Sequence, residues 1–347
     1  MTMQRVFVTG GCGFLGIPLV RGLLEKGYRV SIIDTAPLDE PLYEQVEFTQ
    51  GDVRDSRLLG ELCRGVDYVI HNAAILPVSR SKKKILWDVN VRGTRNVFEA
   101  ALQSNVKKVI FISSSAPYGI PKSAPIREST PFNPVCDYGR SKIAAEGVCN
   151  EYRAKGLDIV ILRPRTIVGQ GRLGLFQILY SWIADNKNIY IIGSGNNLFQ
   201  IISEEDMVAA CILSIEKVCT NQDFNLGMKK CKTVREDLSD LIRYAQSTSK
   251  IISIPAPFAR CVLGFLDFLN LVPFTAWHYK TPDKAFYFDS IKAQTMLGWE
   301  PTQSSLDVFR GSYDWYLQRR REIDSQFGTT HRTSIKQKIL RLLKKFS

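Results

Sequence analysis

Tyr138 and Lys142 stand four residues apart in the run Asp137-Tyr138-Gly139-Arg140-Ser141-Lys142. On a helix that spacing puts both side chains on one face, one turn apart. A lysine ammonium there favours the phenolate, so the tyrosine can exchange protons near neutral pH. Such a pair alone arises often by chance. Here it follows a strand-like segment ending in Ser113-Ser114-Ser115, and the chain begins with Thr9-Gly10-Gly11-Cys12-Gly13-Phe14-Leu15-Gly16. A phosphate-cradling glycine turn, a hydroxyl and a Tyr/Lys pair, in that order, make a site for hydride transfer.

The elements that must position these groups are legible in the apolar pattern. Gln4-Arg5-Val6-Phe7-Val8-Thr9 reads as a buried strand feeding the glycine turn, and residues 17–26 read as a helix closed by Gly27. Strands are expected at 29–34, 46–50, 66–71, 108–113 and 157–162, and helices at 89–105 and from Tyr138 to about Lys155. That alternation indicates an α/β fold with a doubly wound parallel sheet. After Arg163-Pro164 the rhythm changes to a helix at 172–188, a strand at 189–192, an extended piece at 196–202 and a helix at 203–217. The division expected is a Rossmann domain over 1–169, a smaller substrate-capping region over 170–318 interleaved with late Rossmann elements, and a basic tail over 319–347.

Gly10, Gly13 and Gly16 are spaced three apart between the first strand and the first helix. They permit a tight turn and close backbone approach to a pyrophosphate, which the helix N-terminus favours electrostatically. Asp34, 18 residues beyond Gly16, is placed to bind ribose hydroxyls. It would repel a 2′-phosphate, and no Arg or Lys follows in Thr35-Ala36-Pro37, which favours NAD over NADP. Asp52 and Val53 could flank the adenine; Asp52 has an equally simple role in a Gly-Asp turn.

Composition narrows the classes. With 347 residues and 45% apolar content the chain can build a full core. Its eight cysteines are scattered, none in a close pair with metal-ligand spacing, and only three histidines exist, so a metal site is not expected. With no leader-like segment before Val6, a reduced, cytoplasmic chain is expected. The formal net charge is +12, but residues 319–347 hold nine Lys or Arg against two acids. The rest is mildly basic and carries no nucleic-acid motif.

These motifs resemble those of the extended short-chain dehydrogenase/reductases, the NAD-dependent epimerase/dehydratase group, over residues 4–318. The resemblance rests on residues 9–16, Gly51-Asp52-Val53, His71-Asn72-Ala73-Ala74, Asn90-Val91-Arg92-Gly93-Thr94, residues 113–119, Tyr138 to Lys142, Leu162-Arg163-Pro164 and Leu297-Gly298-Trp299-Glu300-Pro301. It implies Tyr138 as general acid/base, Lys142 on the nicotinamide ribose, and Ser114 as the catalytic hydroxyl, since the family's Ser/Thr precedes the Tyr of a Tyr-Gly pair by four residues and Tyr118-Gly119 is that pair. Ser115 is the fallback. It further implies cofactor contacts from Gly10, Gly13, Phe14, Leu15, Gly16, Asp34, Asp52, Val53, Ala73, Ala74, Asn90 and Pro164, with Asn90 resembling the family's structural Asn.

Departures from the family's pattern narrow the reaction. Dehydratases place Asp-Glu after the catalytic Ser/Thr, where Ser115-Ala116 stand. Decarboxylating relatives carry a Glu, and some epimerase-reductases a Cys, at the place of Ala116. What remains needs only Ser, Tyr and Lys: 4-epimerisation of a nucleotide sugar, or oxidoreduction of an alcohol or ketone. Nucleotide-sugar enzymes also carry an Arg on the diphosphate before the helix near Asp206, and Gln200 stands at the comparable place. A neutral amide cannot make that charge-assisted contact, which leaves Arg165 or Arg172 to supply it, with Ser115 beside them. The resemblance favours a nucleotide-sugar 4-epimerase-like activity, which is the leading reading; the missing Arg, an apolar stretch at 258–274 and the basic tail favour a hydroxy/keto lipid or sterol-like substrate. A cofactor-binding regulatory protein without catalysis is the third class.

The stretch 258–274 is broken by Arg260, Asp267 and Asn270 and is too short and polar for a membrane span. It reads as a core helix of the capping region, an apolar substrate mouth or a membrane-facing patch. Over 334–347, Ile335, Ile339, Leu342, Leu343 and Phe346 form one helical stripe opposite five basic residues. That pattern suits an anionic membrane surface; a frayed, solvated tail is the alternative. The expected partners are therefore a small-molecule substrate, that surface, and a second copy of the chain as a homodimer.

Overall fold

The computed structural model describes residues 3–37, 41–76, 83–269 and 276–325. Among them, seven strands form one parallel sheet: β1 (Arg5–Thr9), β2 (Arg29–Asp34), β3 (Glu47–Gln50), β4 (Tyr68–His71), β5 (Lys108–Ile112), β6 (Ile159–Pro164) and β7 (Asp223–Leu226). Their order across the sheet is β7-β6-β5-β4-β1-β2-β3. The winding reverses between β1 and β4, so a crevice opens at the carboxyl ends there. The Thr9 end of β1 and the His71 end of β4 meet at that crevice.

Both faces of the sheet's centre are buried, which is why its central strands are apolar runs rather than alternating ones. Val6, Val8, Ile32, Ile70, Ile110 and Leu162 pack on one side with Leu19 and Leu23 of the helix Gly16–Glu25 and Met207 and Cys211 of the helix Glu204–Glu216. Phe7, Val69, Val109, Phe111 and Ile161 pack on the other, against the helices Thr94–Gln103 and Asp137–Ala154. A third core, built on Tyr180, Trp182, Ile183, Leu241, Tyr313 and Tyr316, holds the capping region together.

The early elements follow the apolar pattern closely; the differences have local causes. The helix expected at 89–105 begins at Lys83 and passes through a π-helical stretch, Asp88–Gly93, before Thr94–Gln103. Thr94 Oγ1 donates to the Asn90 carbonyl at 2.7 Å inside that widened turn. The helix expected at 172–188 is confined to Leu175–Ala184, because Gly171 and Gly174 hold positive φ before it. β7, the helix Val234–Tyr244 and the helix Ser305–Ser325 had no sequence forecast. The last of these runs through residue 319, so the boundary placed there falls inside a helix. Residues 334–347 lie outside the described residues. No helix among the described residues is long and apolar enough to cross a membrane.

Glu204 opens its helix with the carboxyl turned inward under Gly169 and Gln170. Gln170 N–H donates to Oε1 at 2.7 Å, while Oε2 has no partner. A Cβ at Gly169 would fall 1.1 Å from Oε2, which accounts for glycine there. Burial, helped by Glu205, raises the Glu204 pKa from 4.5 to about 7. A pKa raised on folding gives stability that is complete below the ordinary carboxylate value and is lost as pH rises through 7. At full ionisation the loss is on the order of 3 kcal/mol. Glu204→Gln should remove this dependence, so its melting temperature should gain several degrees on the wild type between pH 5 and pH 8. Parallel pH profiles for the two proteins would refute it.

Candidate active site

A cavity of about 1710 Å³ runs from the glycine turn, past Ser114 and Tyr138, into the capping region. That is larger than a usual single-ligand pocket and has room for a cofactor and a substrate end to end. Its first half is built by the β1 turn. Gly10 has φ +72°, and a Cβ on it would lie 2.9 Å from Ala73 Cα; Asn72 Nδ2 donates to the Gly10 carbonyl at 3.0 Å. A Cβ on Gly16 would come within 2.2 Å of that same carbonyl. The turn therefore closes tightly onto β4 and onto its own helix, leaving Gly13, Phe14 and Leu15 on the cavity wall.

Asp34 ends β2 at the same wall. Its carboxylate accepts from the N–H groups of Cys12 at 2.9 Å and Ala36 at 3.0 Å, which pins it to the turn. Asp52, Val53, Ala73, Ala74 and Pro164 line the cavity as well. Asp52 is clamped by Arg54, whose Nη2 donates at 2.7 Å, and these bonds lower its pKa. The glycine cradle with an acid at the β2 end fits a pyrophosphate-linked dinucleotide carrying free ribose hydroxyls. His71, inside β4, bonds both Thr9 and Thr94 hydroxyls, and burial pulls its pKa down to about 3, so the ring is a neutral structural link.

Three residues expected at the ligand lie outside the cavity lining. Gly16 acts through close packing behind the turn. Asn90 supports the wall: its amide donates to the Ile75 carbonyl at 3.0 Å and to Ser141 Oγ at 3.1 Å, and its oxygen accepts from Ile75 N at 2.8 Å. Gln200, expected on the substrate, is 2% exposed and held by backbone. It donates to the Met228 carbonyl at 2.6 Å and accepts from Phe288 N at 2.8 Å. A Cβ on Gly227 would clash with it at 2.2 Å. Its neighbour Phe199 faces the cavity instead.

The reactive groups sit midway. Tyr138, on the first turn of its helix, is 7% exposed. Burial pushes its phenol up to about 12, opposed by a hydrogen bond with Ser114 and by the charge of Arg172. Ser114 Oγ also accepts from Ala116 N at 3.1 Å. Ser115 is turned away and accepts from Arg165 Nη1 at 3.1 Å, so Ser114 is the hydroxyl that meets Tyr138. Lys142 donates to the Ile112 carbonyl at 2.8 Å and lies 4.8 Å from the Phe111 ring centroid. Burial lowers its pKa to about 8, with Glu146 opposing. The charge of Arg172 favours the phenolate, while Lys142, one turn on from Tyr138, is anchored on the end of β5.

Glu146, one turn beyond Lys142, was not singled out in the sequence. It accepts from Ser113 Oγ at 2.6 Å and from Arg163 Nε and Nη2 at 2.9 and 2.7 Å. Its signal was the i, i+4 spacing on from Tyr138 and Lys142, which places all three on one face.

The far half of the cavity is apolar. Trp182, Ile191, Leu238, Leu263, Leu266 and Trp277 contribute to it, with Arg165, Arg172 and Asp237 among its charged members. The apolar stretch at 258–274 supplies the helix Ala256–Phe268, which is not a core helix: Ala259 is its one buried residue, and Phe258, Phe265 and Phe268 are 63%, 62% and 81% exposed. It is a wall, with one side on the cavity and one on solvent.

The NAD dependent epimerase/dehydratase family matches residues 6–227 of the chain. An uncharacterized protein, y4nG, of Sinorhizobium fredii is 35% identical over 342 residues, covering 98% of this chain and 86% of that protein. A UDP-glucose 4-epimerase of Lactobacillus helveticus is 30% identical over 342 residues, covering 90% and 97%. Sterol demethylase protein B of Methylococcus capsulatus is 28% identical over 334 residues, covering 91% and 99%. In fold, the chain is similar to the crystal structure of a UDP-glucose 4-epimerase from Thermotoga maritima with UDP-glucose, with a TM-score of 0.78 at 24% identity over 91% of this chain and 100% of that one.

Asp34 lines the cavity at the end of β2, where a carboxylate would repel a 2′-phosphate. NADH should bind more tightly than NADPH in a fluorescence titration, and Asp34→Ala should narrow the gap. Tighter NADPH binding by the wild type would contradict this.

Proposed function

The chain belongs to the NAD-dependent epimerase/dehydratase family, and from that premise we propose that it moves hydride at a hydroxyl-bearing carbon of a nucleotide sugar, as a 4-epimerase does. The observation that carries this reading is the Ser114–Tyr138 contact at the midpoint of one continuous cavity, between the glycine cradle and the capping region. Gly10, Gly13, Phe14 and Leu15 would hold the pyrophosphate of NAD, Asp34 a ribose, Asp52 and Val53 the adenine side, and Ala73, Ala74, Lys142 and Pro164 the nicotinamide side. Bound there, NAD supplies a hydride acceptor and, in an epimerase, the donor that returns it.

Tyr138 exchanges a proton with the substrate oxygen, and Ser114 hydrogen-bonds that oxygen. Because burial raises the phenol to about 12, Tyr138 is protonated in the free protein and ready to act as the acid toward a ketone. To act as base it relies on groups that favour the phenolate, and Ser114 and Arg172 both do so. Lys142 is placed by the Ile112 carbonyl, beside the hydroxyl-bearing end of β5. No Asp-Glu pair follows Ser114, so the residues for eliminating water are absent from that position. Arg165 and Arg172 are the cations available to a diphosphate, since Gln200 is committed to backbone.

A second reading, a dehydrogenase of a hydroxy or keto lipid, is favoured by the apolar lining of the capping half. It agrees with the name of the Methylococcus relative, and it would give the basic stripe at 334–347 a membrane surface to meet.

Tyr138→Phe should leave NADH binding nearly intact and lower turnover by roughly 10²–10⁴. Ser114→Ala should slow turnover more than Ser115→Ala; the reverse order would move the catalytic hydroxyl to Ser115. For an epimerase, UDP-glucose and UDP-galactose should interconvert without added cofactor and NAD should survive purification. Net NADH release with a hydroxy-lipid, in proportion to added NAD, would select the second reading.

A further inference from the structure

We propose that Arg165 is the binding point for an anionic group of the substrate, a phosphate or a carboxylate, held next to the residue that touches the reacting oxygen. The inference rests on the hydride-transfer reading above and narrows its substrate class. Arg165 is 2% exposed and lines the cavity. Its one hydrogen bond among the described residues runs from Nη1 to Ser115 Oγ, and Nε has no partner. Ser115 adjoins Ser114, so the guanidinium and the proton-exchange pair meet through consecutive residues of one loop.

The contrast with Arg163, two residues earlier, shows what is missing. Arg163 is equally buried but bonds Glu146 through two nitrogens and Asp223 at 2.8 Å. Arg165 has no carboxylate within ion-pair distance among the described residues. Its guanidinium instead lies 3.9 Å from the Phe286 ring centroid, 5.1 Å from Phe199 and 5.8 Å from Phe288. Aromatic faces recover part of the lost hydration and fix the plane of the group, but they do not neutralise it. Burial accordingly pulls Arg165 down to about 9. Asp237, an acid in the same lining, accepts from Ser305 Oγ at 2.6 Å. Arg172 serves the other side: its guanidinium lies 5.2 Å from the Phe14 ring centroid, at the glycine turn, and its charge acts on Tyr138. A caged cation with no counter-ion among the described residues, opening on a largely apolar chamber, fits a ligand that brings its own anion.

Such an anion has two sources, the diphosphate of a nucleotide sugar or the carboxylate of an apolar hydroxy acid. The full-length, NAD-loaded protein would be titrated with UDP, decanoate and decanol, following the fluorescence of Trp182 and Trp277 in the cavity wall. Arg165→Met should bind the anion at least tenfold more weakly, Arg165→Lys should lie between, and decanol should bind all three proteins alike. An Arg165-dependent response to UDP identifies the diphosphate; one to decanoate identifies the carboxylate. The Met variant should melt no lower than the wild type without ligand, because it loses an unneutralised buried charge; the Lys variant decides the matter should the Met variant fail to fold. Binding of neither anion by the wild type, or equal anion binding by wild type and variants, would overturn the proposal. So would a loss of decanol binding as large as the loss of anion binding, which marks Arg165 as a packing strut. NADH titration and turnover, run in parallel, report on the hydride-transfer reading independently: intact anion binding with no hydride transfer on any sugar or lipid condemns that reading alone.

Discussion

The buried ion pair between Glu146 and Arg163 is the contact on which the active-site geometry depends. Arg163 ends β6, Glu146 lies on the helix that begins at Tyr138, and both side chains are about 95% buried. Removing one partner of such a pair typically costs about 3–5 kcal/mol, because the other is left charged in a dry interior. The pair does not stand alone. Ser113, at the end of β5, donates to Glu146, while Arg163 reaches Asp223 on β7 and the Tyr118 hydroxyl. Three adjacent strand ends and the Tyr138 helix are thereby tied at one point. Lys142 lies one turn before Glu146 and Tyr138 one turn before that, so the position of the phenol against Ser114 follows from this tie.

The glycine turn imposes a second constraint of a different kind. It is steric: Gly10 and Gly16 remove side chains where the turn meets β4 and its own helix. A Cβ at either position would strike Ala73 or the Gly10 carbonyl, so the two glycines allow the close backbone packing that shapes the turn. Asn72, Thr9 and Asp34 then hold the turn through hydrogen bonds to its backbone and to Ala73. The cofactor half of the cavity is thus shaped by backbone geometry, and the reactive half by a charged cluster.

The capping half is governed by what is left unneutralised. Arg163 is matched by acids on two strands, and its function is structural. Arg165 is as deeply buried and Arg172 is half-buried, yet each rests against aromatic rings and leaves Nε without a partner. Leaving two guanidinium groups in this state costs stability. Such costs concentrate where a ligand completes the arrangement. The apolar walls around them strengthen any charge-assisted bond that forms there, since the local dielectric is low.

Much of the Rossmann half is determined by local sequence. Val6 to Thr9, the glycine spacing, Asp34 and the i, i+4 pair Tyr138 and Lys142 carry their own periodicity, and the strand ends follow from runs buried on both faces. The family resemblance points to Ser114, which stands four residues before Tyr118-Gly119. The sequence does not tell that Gln200 is spent on the Met228 and Phe288 backbone, or that Arg163 and Arg165, on either side of Pro164, have opposite fates. Side chains two residues apart on an extended chain point the same way and look equivalent until their surroundings are known. Those surroundings come from Glu146, Asp223 and Phe286, 17 to 121 residues away in the chain, and only the folded packing brings them together.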